Sequence, residues 1–201
     1  VQSGAYTLAE DYRCTLESFQ AILKHLEPDG LLVAMRWLQD PPSEDLRLFA
    51  LAKTAVESMG GNPRLQLAAF RGYNTAAVVV KNTPFTAEER IVIRDFAASR
   101  AFDLTYLPGI RAEETNRYNI LAQSIYYQTY LRLLGASTDQ AFYTEYEYDV
   151  RPPSDDRPFF GYYFKWAQAP QIVGQFCKTW QPFGGPGYFV VFVLLLLGVL
   201  L

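Results

Sequence analysis

The chain has one histidine, His25, and two cysteines, Cys14 and Cys177. The cysteines lie near opposite ends without CxxC spacing, so nothing in the spacing points to a disulfide framework or a zinc site. With a single histidine, a Ser-His-Asp or Cys-His nucleophile set has no support; His25, near the end of a predicted helix, reads as a solvated side chain complementing the helix dipole. No GxGxxG or P-loop pattern occurs, and Gly60-Gly61 reads as a helix stop. Positive charge is not in excess either. The formal net charge is -3, so no global field gathers phosphate backbones and nucleic acid is not an expected partner. What the chain does have is apolar and aromatic residues, 50% and 15% of the total, enough for a substantial core in one domain with appendages.

The stretch Thr15 to Trp37 reads as the organising unit. Leu16, Phe19, Leu23 and Leu26 share one helical face, and Thr15 stands where an N-cap is needed. Pro28 and Gly30 stop that helix. The apolar run Leu31 to Met35 then predicts a strand covered on both faces, as in a sheet flanked by helices. Ser43 caps a second covering helix whose stripe is Leu48, Leu51, Ala52, Ala55 and Met59. Leu65 to Arg71 and Thr75 to Lys81, separated by Gly72-Tyr73-Asn74, predict an antiparallel hairpin. Thr86 and Glu89 form a capping box that opens a helix to about Arg100, followed by an edge strand over Phe102 to Leu107 and a helix over Ile120 to Leu134. The three prolines between Arg151 and Phe159, Pro152, Pro153 and Pro158, exclude helix and central strand, so an extended loop pinned by aromatics is expected. Within it Asp155 and Asp156 are expected to bond loop amides or to pair with Arg151 or Arg157 rather than hold a cation. The class is α/β.

The C-terminal region is different in character. Aromatics crowd the path from Phe159 to Tyr188, among them Trp166, Phe176, Trp180 and Phe183, which suits a membrane interface. The 14 residues from Tyr188 to Leu201 are uncharged and apolar, short of the about 20 that cross a bilayer. No signal-peptide pattern follows Val1. The expectation is therefore a piece of a longer membrane protein ending in a truncated transmembrane helix; a core helix or a tail covered by other subunits is the plainer alternative. Lys165 and Lys178 precede the apolar run and weigh toward the cytoplasmic side.

Helix, Pro-Asp-Gly, apolar strand, helix and antiparallel hairpin is an order that resembles the second half of a class I S-adenosylmethionine-dependent methyltransferase sheet, a Rossmann-like arrangement. Ser3-Gly4-Ala5-Tyr6-Thr7-Leu8-Ala9-Glu10, Thr15-Leu16-Glu17-Ser18-Phe19, Arg36-Trp37 with Pro41-Pro42, Pro84-Phe85-Thr86, Asn116-Arg117-Tyr118-Asn119, Asp155-Asp156-Arg157-Pro158-Phe159-Phe160 and Pro182-Phe183-Gly184 are together similar to bacterial membrane-linked spermidine synthase-like proteins. The resemblance implies residues 1–110 as the C-terminal half of a methyltransferase-like domain. It also implies a helical and Pro-rich extension at 111–160, an aromatic juxtamembrane segment at 161–187 and the start of a transmembrane helix at 188–201.

It further implies S-adenosylmethionine or its decarboxylated form as cofactor, with none of the cofactor-binding motifs inside this chain. The implied activity is aminopropyl or methyl transfer to a small cationic substrate, at a bacterial inner membrane with the soluble part on the cytoplasmic side. A degenerate domain serving as a binding or scaffolding module is the alternative, and this stretch alone is expected to be inactive. By the same resemblance the loop before the first helix borders the substrate pocket. Tyr6 is then an aromatic wall and Glu10 a carboxylate for a cationic group, with Asp11 beside it. The plainer reading of Glu10 is a loop-anchoring hydrogen bond, and of Asp11 dipole complementarity worth about 0.3–1 kcal/mol. Asn116, Asn119, Asp155 and Asp156 match motif positions without an assigned role, and no metal site is expected. The strand ends in Met35-Arg36-Trp37 where spermidine synthases carry a glutamine, which points away from polyamine transfer.

Overall fold

The computed structural model describes residues 8–168 and 187–200. After a single 3-10 turn at Tyr12–Cys14 the chain forms α1 (Leu16–His25), β1 (Leu31–Trp37), α2 (Glu44–Ser58) and a short α3 (Pro63–Gln66). Next come β2 (Leu67–Arg71), β3 (Thr75–Lys81), α4 (Ala87–Ser99), β4 (Asp103–Tyr106), α5 (Ile125–Gly135) and α6 (Asp139–Glu145). An apolar helix α7 (Gly187–Leu200) follows. Helix starts are set by their caps. Thr15 accepts from the Ser18 amide, Asn62 from Arg64 and Thr138 from Ala141, while Thr86 and Glu89 form the reciprocal box expected of them. At the end of α2, Gly60 takes φ of 77°, a left-handed conformation that a side chain disfavours.

The four strands form one open antiparallel sheet in the order β1-β3-β2-β4. The hairpin therefore folds back so that its second strand lies against β1, in register from Leu31 opposite Lys81 to Trp37 opposite Thr75. β2 pairs β3 on the far side, and β4 joins β2 across an irregularity between Ala69 and Phe70. The main core lies on one face, where Phe19 and Leu23 of α1, Leu48, Phe49 and Leu51 of α2, and Tyr130 and Leu133 of α5 meet Val78 and Val80 of β3. Phe49 stacks on Tyr130 with centroids 4.2 Å apart and takes Tyr106 edge-on at 5.5 Å. On the other face a smaller core gathers Ala68, Val79, Phe85, Ala97, Leu104 and Leu107 beneath α4.

Several expectations need correction. β1 is not covered on both faces. It is an edge strand whose Leu31, Val33, Met35 and Trp37 are 50 to 57% exposed, because α2 covers only the Leu32 and Ala34 side and nothing among the described residues covers the other. A uniformly apolar run cannot reveal which of its faces a neighbour will fill. α2 covers the sheet as expected but is itself enclosed along nearly all its length, including Glu44, Asp45, Arg47 and Lys53, whereas Met59, assigned to its stripe, is 43% exposed. The first hairpin strand starts at Leu67, since Pro63–Gln66 makes a helical turn first. The helix expected from Ile120 begins at Ile125; the preceding residues are held in a loop by Asn116, whose side chain bonds both the amide and the carbonyl of Leu121 at 2.8 Å. α6, for which no helix was expected, runs from Asp139 into the Tyr-rich stretch Phe142 to Tyr148. No helix among the described residues is long and apolar enough to cross a membrane. Phe176, Cys177, Lys178, Trp180 and Phe183 lie outside the described residues.

The Pro-rich loop is ordered, but its main fastener is not aromatic. The Arg47 guanidinium, projecting from α2, donates to four main-chain carbonyls of that loop: Arg151 at 2.9 Å, Phe159 at 3.0 Å, Phe160 at 2.8 Å and Tyr162. Burial lowers its pKa to about 10, with Asp149 acting against that shift, so it remains a cation at neutral pH. The loop in turn fastens the N-terminal segment, because Pro158 accepts from the Asp11 amide at 2.7 Å and Pro153 from that of Leu16 at 2.9 Å. Arg47→Met leaves four carbonyls without their donor. We expect it to cost roughly 3 kcal/mol or more in urea unfolding. Arg47→Lys, with a less suitable geometry, should recover only part, and Arg157→Met at the exposed end of the loop should stay within about 0.5 kcal/mol.

Candidate functional site

A cavity of about 440 Å³ opens at the C-terminal end of β1. Its walls come from five parts of the chain: Ala9, Glu10, Asp11 and Arg13 of the N-terminal segment, the strand end Met35-Arg36-Trp37, Glu44 at the start of α2, Thr75 of β3, and Phe160-Gly161 of the fastened loop. The bonds from Arg47 to the loop and from the loop to Asp11 place two of these walls.

Arg36 is the charged centre. Its guanidinium lies 3.5 Å from Asp11 Oδ2 and 3.7 Å from Glu44 Oε1, donates to the Met35 carbonyl at 2.8 Å and to the Cys14 sulfur, and sits 4.5 Å from the centre of the Phe160 ring. Asp11 also takes Arg13 Nε at 2.9 Å and caps the 3-10 turn through the Arg13 amide. Glu44 is 4% exposed; burial raises its carboxyl above the ordinary range, with Arg36 drawing it back. Cys14 is a buried free thiol, and burial pushes its pKa up to about 11 against the pull of Arg36, so it stays protonated and serves as an acceptor. Glu10 stands apart. Among the described residues its carboxylate takes only the Tyr12 hydroxyl, at 3.2 Å.

The structure thus brings Glu10 and Asp11 together at this cavity, while Tyr6, expected as its aromatic wall, lies outside the described residues. Trp37 and Phe160 are the aromatic side chains among the described lining residues. The other motif residues sit elsewhere. Asp155 donates its amide to Glu17 Oε2 at 3.0 Å, joining the loop to α1, and it and Asp156 are exposed. The pairing with Arg151 expected of these two is taken by Asp149, bound through both guanidinium arms. Among the described residues no group of acids, cysteines and histidine could hold a metal ion.

Asn116 and Asn119 belong to a second constellation around a buried ion pair. Asp103 of β4 lies 3.3 Å from Arg71 of β2, the two side chains being 0% and 3% exposed. The carboxylate accepts three successive loop amides, from Arg117, Tyr118 and Asn119, the last two at 2.8 Å. Asn116, at φ 54°, a value asparagine tolerates better than most residues, receives Arg71 on its side-chain oxygen at 2.9 Å. Asn119 gives Arg71 its carbonyl. These asparagines build a loop. Nothing in the motif's spelling reveals that its receptor is an aspartate on a strand fourteen or so residues earlier.

Comparison with protein-family models, with curated proteins and with solved structures finds no match in any of the three.

The Asp103 nest gives a pH prediction. Burial opposes the charge of Asp103, but the three amides and Arg71 together outweigh it and hold the carboxyl below its ordinary range. A depressed folded pKa contributes stability above the unfolded value of about 3.9 and loses it as pH falls further toward the folded one. Wild-type stability should therefore drop below about pH 4. Asp103→Asn should cost about 3–5 kcal/mol at pH 7 by leaving Arg71 buried without its anion, and should flatten that acid limb in denaturation measured across pH.

Proposed function

We propose that the cavity beside β1 binds a small amine, and that the chain is the second half of a Rossmann-like, methyltransferase-type domain in a membrane-attached transferase. The observation that carries the binding reading is the charge of the lining. Three carboxylates, Glu10, Asp11 and Glu44, face two guanidinium groups, Arg13 and Arg36, and Glu10 is the carboxylate with no cationic partner among the described residues. An ammonium group entering there gains a charge-assisted bond from Glu10, while Trp37 and Met35 offer the apolar surface for its carbon chain.

The half-sheet reading is supported by the order helix, strand, helix and antiparallel hairpin, and by β1 being an open edge to which a further strand can add. Acceptor-amine binding is the part of a transfer reaction assigned to these residues. S-adenosylmethionine, or its decarboxylated form, belongs to the proposal only as the cofactor of the whole domain. The residues present do not fit it: no glycine turn follows β1, whose continuation is Leu38-Gln39-Asp40-Pro41. No step is routed through it. A non-catalytic binding module is the second reading, favoured by Arg36 occupying Asp11 and Glu44, the two carboxylates nearest to it. Membrane attachment is proposed through α7, uncharged over its whole length.

Calorimetric titration of the chain with hexylamine should give saturable binding. Glu10→Gln should weaken it roughly tenfold or more, the loss of one charge-assisted bond, and Glu113→Gln, exposed and remote from the lining, should leave it unchanged. Absence of saturable amine binding at millimolar concentration would refute the assignment.

A further inference from the structure

The cavity's charge arrangement says more about its ligand than that it is cationic, and the following rests on the amine reading above. Of the three carboxylates at the cavity, two are already committed to guanidinium groups that cannot easily leave. Arg36 is held at several points at once: by Asp11 and Glu44, by the Met35 carbonyl and the Cys14 sulfur, and by stacking on Phe160. Asp11 is further engaged by Arg13. Glu44 is more than nine-tenths buried, lines the cavity and makes no hydrogen bond through its carboxylate among the described residues, so Arg36 is the cation that balances it. Removing that balance would leave a desolvated charge.

We infer that the cavity selects a ligand with one positive charge and an apolar body, and discriminates against polycations. A first ammonium at Glu10 neutralises the surplus charge of the lining. A second ammonium on the same ligand would have to share Asp11 or Glu44 with the fixed Arg36 guanidinium and meet its charge at close range, where partial burial weakens solvent screening. The half-exposed Met35 and Trp37 present hydrocarbon and an aromatic face to the remainder of the molecule, which suits an alkyl or aryl chain better than a further charge.

The test compares hexylamine, 1,6-hexanediamine, hexanol and hexanoate by calorimetry on the full chain at low ionic strength. Hexylamine should bind roughly tenfold more tightly than the diamine, with the alcohol and the acid weaker still. Arg13→Gln, a change at a side chain 90% exposed, releases one partner of Asp11 and should narrow the gap. Arg36→Gln should close or reverse it by freeing both committed carboxylates. Circular dichroism checks that each variant folds, and the Arg13 variant alone suffices should the other not fold. Binding of the diamine as tightly as the monoamine would overturn this inference while leaving the amine reading intact. A ratio unmoved by Arg13→Gln would overturn it too. If no amine binds, or hexanoate binds best, both fall together.

Discussion

One buried guanidinium governs the arrangement of this molecule. A loop with three prolines and few internal bonds has no ladder of its own, so its carbonyls need donors from outside, and Arg47 provides them to Arg151, Phe159, Phe160 and Tyr162. Because the guanidinium's planar fork carries five donors, a single side chain can do this where several neutral residues would otherwise be needed. The loop then holds Asp11 and Leu16 through Pro158 and Pro153, and carries Phe160 to the ring position over which Arg36 lies. Two walls of the cavity, the Asp11 segment and Phe160, thus follow from one interaction made between α2 and the loop.

The same logic recurs along α2. Glu44 answers Arg36, Asp45 accepts the Tyr130 hydroxyl at 2.9 Å, and Lys53 meets Asp139 and Glu57. Each is a polar group taken out of water and compensated by a partner from another element, apart from the local Lys53–Glu57 pair. The helix can therefore be enclosed without being apolar, and its charges fix the placement of α5, α6 and the loop with a directionality that hydrophobic packing lacks. The sheet shows the opposite case. β1 carries no charge at the positions that remain exposed and has no bulge against β3, so its outer edge is left in the form that accepts another strand.

Much of the secondary structure was legible because the signals were local. Thr15, Thr86 with Glu89, the Pro28 to Gly30 stop and the Gly72-Tyr73-Asn74 hairpin all act within a few residues of themselves, and each appears where its chemistry requires. The errors have one character. Leu31 to Met35 looked doubly buried, and Asn116 and Asn119 matched motif positions with no visible role, because in each case the deciding neighbour lies beyond the reach of a local pattern. Asp103 as the receptor of the Arg117 to Asn119 amides is the clearest instance. The candidate site was partly legible: Glu10 and Asp11 were picked out by resemblance, whereas Arg36, Glu44, Thr75 and Phe160 join them only when β1, α2, β3 and the loop converge.

By itself, then, the order of residues determined the α/β class, most element boundaries, the low positive charge and the apolar C-terminal helix, since periodicity, capping and turn chemistry operate over one or two turns of chain. The tertiary structure alone decided which face of β1 is open, which polar groups are buried in pairs and which carboxylate at the cavity remains uncommitted. Those outcomes depend on distances between segments, and a distance between segments exists only after the chain has closed on itself.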